Sequence, residues 1–479
     1  MNYSIIRYFM GKIMLVLAVL LLIPFAMSLF FRENNVLAYV IPIAALVLAG
    51  SVCAFKKPKS KDVHTREGLL ICAVTWVLMS FFGALPFCLS GDIPSFTDAY
   101  FETVSGFTTT GSTILSNIEG VSKSLLFWRS FTHWIGGMGV LVFALAIFSQ
   151  KDTRTMYIMR AEVPGPKVGK LVSRTRFTAR ILYIIYLSLT LIEVLFLLAG
   201  DMPLFDSITT AMSTAGTGGF SPKNASIAAY NSPYIEYVVA VFMLLFGVNF
   251  TLYYFLLMKN FKDVVKNEEL RWYLIIVGVA TLLICGNIYP IYKSFEPAFR
   301  NAFFQVSSII TTTGFATGDY NVWPAFSQAI VFLLMFIGGC AGSTGGGLKV
   351  VRSVILCKIA RKQVKNAINP RAVISVKLDS HSVDESMEKG ICAYFTVYMV
   401  LMLLSIAVVC LDTNLNITEA ATSVITCVNN VGPGLGLVGP TGNFSELSDF
   451  SKWVLIFDML AGRLELYPIL VLFSRSFWK

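Results

Sequence analysis

The chain alternates long apolar runs with short polar connections. Segments such as Ile13–Phe30, Val36–Phe55 and Leu69–Leu89 are each about as long as the roughly 20 residues that carry a helix across a bilayer. The pattern predicts ten spans, near 11–31, 35–55, 68–90, 124–149, 177–199, 233–258, 271–292, 325–361, 390–411 and 452–474. The eighth is too long for one crossing and contains Gly338–Gly347, so it is predicted to be broken. The first run is long and closely followed by a second, which reads as a span rather than a cleaved signal.

Charge sorts the connections into two kinds. Lys56, Lys57, Lys59, Lys61 and Arg66 crowd one connection, and residues 151–180, 259–271 and 349–389 are likewise rich in Lys and Arg. The alternate connections are poor in both and carry Asp92, Asp98, Asp201, Asp206, Asp319, Glu419 and Asp449. Basic connections stay in the cytoplasm, so both termini are expected there, with the acidic, Gly-rich connections outside. The net charge of +10 therefore reads as membrane orientation rather than a nucleic-acid face. The nine Cys are scattered without a CxxC pair, and His64, His133 and His381 lie far apart. No metal-ligand spacing and no Ser/His/Asp or Cys/His constellation supports an enzyme.

Each outward connection after the second span holds a segment shorter than a crossing that ends in small or hydroxyl residues and Gly. The endings are Thr108-Thr109-Thr110-Gly111, Gly216-Thr217-Gly218-Gly219, Thr311-Thr312-Thr313-Gly314 and Asn429-Asn430-Val431-Gly432. Aligned on the last Gly, the copies lie 108, 95 and 118 residues apart, and thirteen residues before that Gly stand Asp98, Asp206, Asn301 and Glu419. A helix of about three turns is too short to span. An acidic or amide residue at its start caps free N–H groups and suits the positive end of its dipole. Such a helix enters from outside and returns as extended backbone, which survives at membrane depth only when covered by protein or a water-filled path. The product is a row of inward carbonyls that replaces the hydration shell of a cation. Four copies in one chain make a pseudo-fourfold ring. Outward loops in all four copies require parallel repeats, which weighs against an alternating-access transporter built on inverted repeats.

Two further features fall on the same path. Gly338–Gly347 holds six Gly in ten residues, and each Gly costs a helix interior about 1 kcal/mol relative to Ala. The stretch follows the third copy and is expected to cross the pore just beneath it, a packing kink being the alternative. It loosely resembles a phosphate-binding loop, but the Gly-Lys-Ser/Thr ending and a preceding strand are missing. Arg463 is read as mid-span in the last helix. It is either a positive barrier below the ring or half of an ion pair with Asp458 or Glu465. Asp98, Asp206 and Glu419 can draw cations to the mouth, although capping alone accounts for their positions.

The chain resembles the membrane subunit of bacterial Trk-type potassium uptake systems, in the superfamily that includes the Ktr and plant HKT transporters. The resemblance rests on Ser105–Thr113, Ser213–Pro222, Thr311–Phe315, Asn430–Gly436, Gly338–Lys349 and Gly462–Pro468, and the two spans before the first copy favour the Trk type over Ktr. It implies an all-α polytopic protein with four pseudo-fourfold helix–pore loop–helix repeats around one central pore, plus two extra N-terminal helices. The expected units are 1–62 for the N-terminal pair, 63–155, 156–262, 263–365 with a broken second helix, and 366–479. It implies a potassium selectivity filter at Thr109, Thr110, Gly111, Thr217, Gly218, Gly219, Thr312, Thr313, Gly314, Asn430, Val431 and Gly432. Within the family, Gly at all four filter positions goes with potassium selectivity and Ser in the first with sodium permeation. The second and fourth copies depart from Thr-Thr-Thr-Gly, so the filter is chemically asymmetric. A gate is implied at Gly338, Gly339, Gly342, Ser343, Thr344, Gly345, Gly346, Gly347, Lys349 and Arg463. Potassium is then substrate, with no bound cofactor. The further expectations are a bacterial inner-membrane location in lipid, a homodimer, and a cytosolic nucleotide-binding regulatory subunit of the TrkA type on the basic segments 151–180 and 349–389.

Overall fold

The computed structural model describes residues 1–58, 64–139 and 175–478. Two long helices open the chain, α1 (Tyr3–Phe30) and α2 (Val36–Phe55). They meet where a side-chain carbon on Gly11 would lie 2.7 Å from the Gly50 carbonyl oxygen. Small residues let helix backbones approach this closely in lipid. The pair is tied to the following unit by polar bonds: the Tyr39 hydroxyl donates to Ser124 Oγ at 3.0 Å, and Asn35 Nδ2 to Ser122 Oγ at 2.9 Å.

The chain then runs four times through a long helix, a short helix, a return strand and a second helix. The first unit is α3 (Thr65–Ser90), α4 (Phe96–Phe107) and α5 (Lys123–Gly137). The second is α6 (Thr175–Ala199), α7 (Leu204–Gly216), α8 (Pro233–Phe246) and α9 (Phe250–Leu257), followed by a short linker helix, α10 (Phe261–Lys266). The third is α11 (Glu268–Tyr292), α12 (Phe295–Ile310), α13 (Ala325–Leu334) and α14 (Val350–Ile368). The fourth is α15 (Glu385–Val409), α16 (Ile417–Asn429) and α17 (Asp449–Arg463). Between α14 and α15 the strands β1 (Lys377–Leu378) and β2 (His381–Ser382) form a small antiparallel hairpin. The helix starts follow local chemistry. Asn267 caps α11 by accepting from Leu270 N at 2.8 Å, and Asn416 and Glu419 form a reciprocal capping box on α16.

Among the described residues, α1, α2, α3, α11, α15 and Arg180–Ala199 of α6 are long and apolar enough to cross a membrane. The other four expected spans are the second helices of the units, and two of them, 233–258 and 452–474, need correction as continuous crossings. The expected span 233–258 bends by 90° between α8 and α9. There the Gly247 carbonyl accepts from Cys340 N at 2.9 Å, and the Asn249 side chain restarts the helix by accepting from Thr251 N at 2.9 Å. The expected span 452–474 stops at Arg463, and Glu465 and Leu466 follow with positive φ. In 124–149 the helix ends at Gly137. The remainder of that span and the basic segment to residue 174 lie outside the described residues. The third unit is broken between Leu334 and Val350, as the Gly content requires.

Packing closes the units into a circle. Helix α5 lies against α7, α8 against α12, and α17 against α4, so the last unit meets the first. Large apolar side chains such as Leu48, Leu195, Leu282 and Leu404 are exposed on the outside, while Thr, Ser and Asn side chains of the short helices are buried inside. That inversion suits a chain solvated by lipid.

Candidate functional site

All four short helices end in the same cap. Thr110 N donates to Ser105 O, Gly218 N to Ser213 O, Thr313 N to Ser308 O and Val431 N to Thr426 O, at 2.8–2.9 Å. Each bond spans five residues, the 6→1 bond of a Schellman-type cap. It turns on a left-handed residue: Thr109, Thr217, Thr312 and Asn430 have φ of 56°, 53°, 59° and 54°. A β-branched residue pays a steric penalty in this region and is held there only by its surroundings. The sequence alone placed the special backbone at the terminal Gly, and the structure adds these residues two positions earlier.

The next turn brings the four strands into a ring. Gly111, Gly219, Gly314 and Gly432 have φ of 83°, 77°, 85° and 99°. A side-chain carbon on Gly111 would lie 2.0 Å from the Gly218 carbonyl oxygen, and one on Gly219 2.0 Å from that of Thr313. On Gly314 it would lie 2.4 Å from the Val431 oxygen, and on Gly432 2.8 Å from that of Thr110. Each glycine thus faces the carbonyl of the next unit, and the fourth faces the first. Only Gly supplies both the positive φ and the room. Cross-links reinforce the closing seam: Asn430 Nδ2 donates to Thr110 Oγ1 at 2.9 Å and the Ser112 hydroxyl to Gly432 O at 3.2 Å. The expected asymmetry is visible behind the ring. Thr108 and Thr110 hydroxyls pair at 2.8 Å and Thr311 and Thr313 at 2.7 Å, whereas Gly218 and Val431 offer no hydroxyl. The four helix C-termini aim their partial negative charge at this centre.

One face of the ring opens into a cavity of about 130 Å³ lined by all four glycines together with Ser112, Arg129 and Ser221. The Gly-rich loop lies on the other side. Gly338 N donates to Leu348 O at 2.9 Å, and Val350 N to Gly339 O at 3.3 Å. Gly342 O accepts from Phe250 N at 3.0 Å, and the Ser343 hydroxyl oxygen accepts from Gly345 N at 3.3 Å. A side-chain carbon on Gly345 would lie 3.0 Å from Thr311 O, and one on Gly346 2.7 Å from Asn429 O. Gly347 turns the chain with a φ of 66°. Lys349 Nζ folds back onto the carbonyls of Gly345 and Gly346. The loop therefore lies against the ends of α12 and α16.

Arg463 is the last residue of α17, at the helix break rather than mid-span. Its guanidinium donates to Thr344 O at 2.9 Å, to Gly137 O at 3.0 Å and to Gly136 O. The side chains considered as its ion-pair partners are engaged elsewhere: Glu465 with Arg352, and Asp458 with the Ser405 hydroxyl at 2.8 Å. Asp98, Asp206 and Glu419 of the outward connections are also occupied. Asp98 sits in the first turn of α4 and accepts from Lys452 Nζ at 2.6 Å, Asp206 accepts from the Tyr230 hydroxyl at 2.9 Å, and Glu419 caps α16. The expected cap is seen at Glu419, whereas Asp98 and Asp206 sit in the first turn behind Ser95 and Pro203 at the N-cap positions, and Asn301 departs further. Helix α12 starts earlier, at Phe295, so Asn301 lies inside it and bonds to Pro297 O at 2.9 Å.

Two buried charges that the sequence reading passed over stand beside the ring. Glu102 on α4 and Arg129 on α5 pair at 2.5 Å, both almost fully buried. A charged residue inside each of two apolar stretches was the available signal.

A family model described as cation transport protein, TrkH, matches residues 35–479. The chain is 36% identical to the Trk system potassium uptake protein TrkH of Salmonella typhimurium over the full length of both. It is 32% identical to the Trk system potassium uptake protein TrkI of Halomonas elongata, over 97% of this chain and 95% of that one. The crystal structure of the potassium transporter TrkH from Vibrio parahaemolyticus superposes with a TM-score of 0.91 at 32% identity, covering both chains completely.

Proposed function

The chain belongs to the TrkH family of cation transport proteins, and we propose that it carries potassium into the cell through the ring, as a channel-like pore closed from the cytoplasmic side by the Gly-rich loop. The observation that carries this reading is the cyclic contact of each ring glycine with the carbonyl of the next unit. A closed ring of backbone carbonyls at the negative ends of four helices replaces water around a bare monovalent cation. Thr109, Thr110, Gly111, Thr217, Gly218, Gly219, Thr312, Thr313, Gly314, Asn430, Val431 and Gly432 are the filter residues in this reading. The gate is the stretch Gly338–Lys349 with Arg463, whose charge stands next to the loop and repels a cation there.

The relatives are named as parts of a Trk system, which supports a membrane subunit that works with others. We assign it a homodimer in the bacterial inner membrane with both termini cytoplasmic. A cytosolic nucleotide-binding subunit of the TrkA type would dock on the basic segments 151–180 and 349–389. The unit boundaries proposed are 1–62, 63–155, 156–262, 263–365 and 366–479. Rubidium uptake into proteoliposomes at a set membrane potential tests the reading, with sodium as competitor. Saturable, potential-driven uptake that potassium blocks better than sodium supports it. Uptake no greater than that of empty vesicles overturns it.

A further inference from the structure

The ring is held by more than its own backbone at one seam. Glu102 Oε1 accepts from the Thr113 hydroxyl at 3.0 Å and Glu102 Oε2 from Ile114 N at 2.9 Å, so one carboxylate grips the strand that leaves Gly111. The same carboxylate accepts from Arg129 Nε at 2.5 Å. Arg129 reaches into the second unit, where Nη1 donates to Ser221 O at 3.0 Å and the guanidinium carbon lies 3.6 Å from the centre of the Phe220 ring. Phe220 stacks on His133 with centroids 4.1 Å apart, and a side-chain carbon on Gly218 would fall 2.3 Å from His133 Nδ1. A continuous set of contacts thus runs from the strand after Gly111 to the backbone of Gly218, the two residues that meet in the ring. The other units have no copy of it: the positions matching Glu102 in the shared alignment are Thr210, Gln305 and Ser423.

The placement of Arg129 adds an electrostatic requirement. It lines the cavity above the ring, and an unpaired guanidinium at the entrance of a cation path repels the ion that must enter. Glu102 supplies the compensating charge from behind the strand. Burying an ion pair is expensive and breaking one is more so, while the planar guanidinium fork gives geometry that Lys does not.

We infer that Glu102 and Arg129 are positioning residues for cation selection: the pair fixes the spacing of the Gly111 and Gly218 strands, and Glu102 neutralises the guanidinium of Arg129 at the mouth. The inference rests on the ring as the conduction site. It is tested in proteoliposomes holding the full chain, by rubidium influx and by the rubidium-to-sodium permeability ratio. Parent protein in the same vesicles reports separately on the conduction reading. Arg129→Lys keeps the charge and loses the fork, so influx is expected to stay within about threefold while the permeability ratio falls by about fivefold or more. Glu102→Gln leaves the guanidinium uncompensated and is expected to lower rubidium influx by about tenfold or more. The double variant Glu102→Gln/Arg129→Gln strands no charge. Its influx is expected to recover while its ratio stays low, a split that a merely structural role does not give. If either single variant fails to fold, the double variant carries the decision. A parental permeability ratio in the folded double variant, or parental influx in folded Glu102→Gln, overturns the inference.

Discussion

The Gly346 backbone N–H donates to Thr312 Oγ1 at 2.7 Å, so the Gly-rich loop is hydrogen-bonded to the ring it lies against. Thr312→Val keeps the shape and removes the acceptor. It leaves a buried N–H without its partner, a loss of about 1–3 kcal/mol from the closed arrangement. Basal rubidium influx is expected to rise, by about fivefold for each 1 kcal/mol or so. Influx equal to the parent's would show that this bond does not hold the loop.

Deleting Gly345–Gly347 removes the part of the loop that reaches Thr312 and that receives Lys349 Nζ. Higher basal influx is expected from a folded variant, because the contacts of this stretch with Thr311, Thr312 and Asn429 at the ends of α12 and α16 are lost. Influx at or below the parental level favours a packing kink over a gate.

Arg463→Ala is expected to raise cation influx with a modest loss of stability. Its bonds go to carbonyl oxygens of Thr344, Gly136 and Gly137, while Glu465 and Asp458 have Arg352 and Ser405. A unit charge repels a cation by roughly 4 kcal/mol at 4 Å and an effective dielectric of 20. Thermal stability in detergent and influx, measured on one preparation, check both parts. A strongly destabilised variant without added influx would make Arg463 a structural clamp.

The ion pair of Lys452 and Asp98 joins the last unit to the first short helix. Asp98 is a quarter exposed, so water takes over part of the role when Lys452→Met removes the cation. The expected loss is about 1 kcal/mol or less, read as a small fall in melting temperature with an unchanged permeability ratio. A changed ratio would extend the selectivity machinery to this outer contact.

Some of this was legible in the sequence because local chemistry is repeated. Gly111, Gly219, Gly314 and Gly432 stand out by pattern. The shared offset put Asp98, Asp206 and Glu419 in first helical turns, where the structure has them. It failed for Asn301 because α12 already starts at Phe295, about one turn earlier relative to its Gly than the other short helices. The left-handed Thr109, Thr217 and Thr312 were hidden because β-branched residues ordinarily avoid that conformation. The bend at Gly247 was hidden for a different reason: hydropathy stays high on both sides of it and carries no direction. The partners of Arg463 were out of reach, since Gly136 and Gly137 lie more than 300 residues away in the chain. The same holds for the bracket from Glu102 to Ser221, which exists only once the units close.

The most direct measurement is the rubidium-to-sodium permeability ratio of Gly111→Ser beside the parent, in proteoliposomes at a set membrane potential. A side-chain carbon at this position falls 2.0 Å from the Gly218 carbonyl oxygen, on a backbone with φ of 83°. The Gly111 and Gly218 strands must then separate and the carbonyl ring must widen at that seam. Expected is a parent that prefers rubidium and a folded variant whose preference falls by about tenfold, equivalent to about 1.4 kcal/mol. A folded Gly111→Ser protein with the parental ratio would contradict the ring as the place where the cation is chosen.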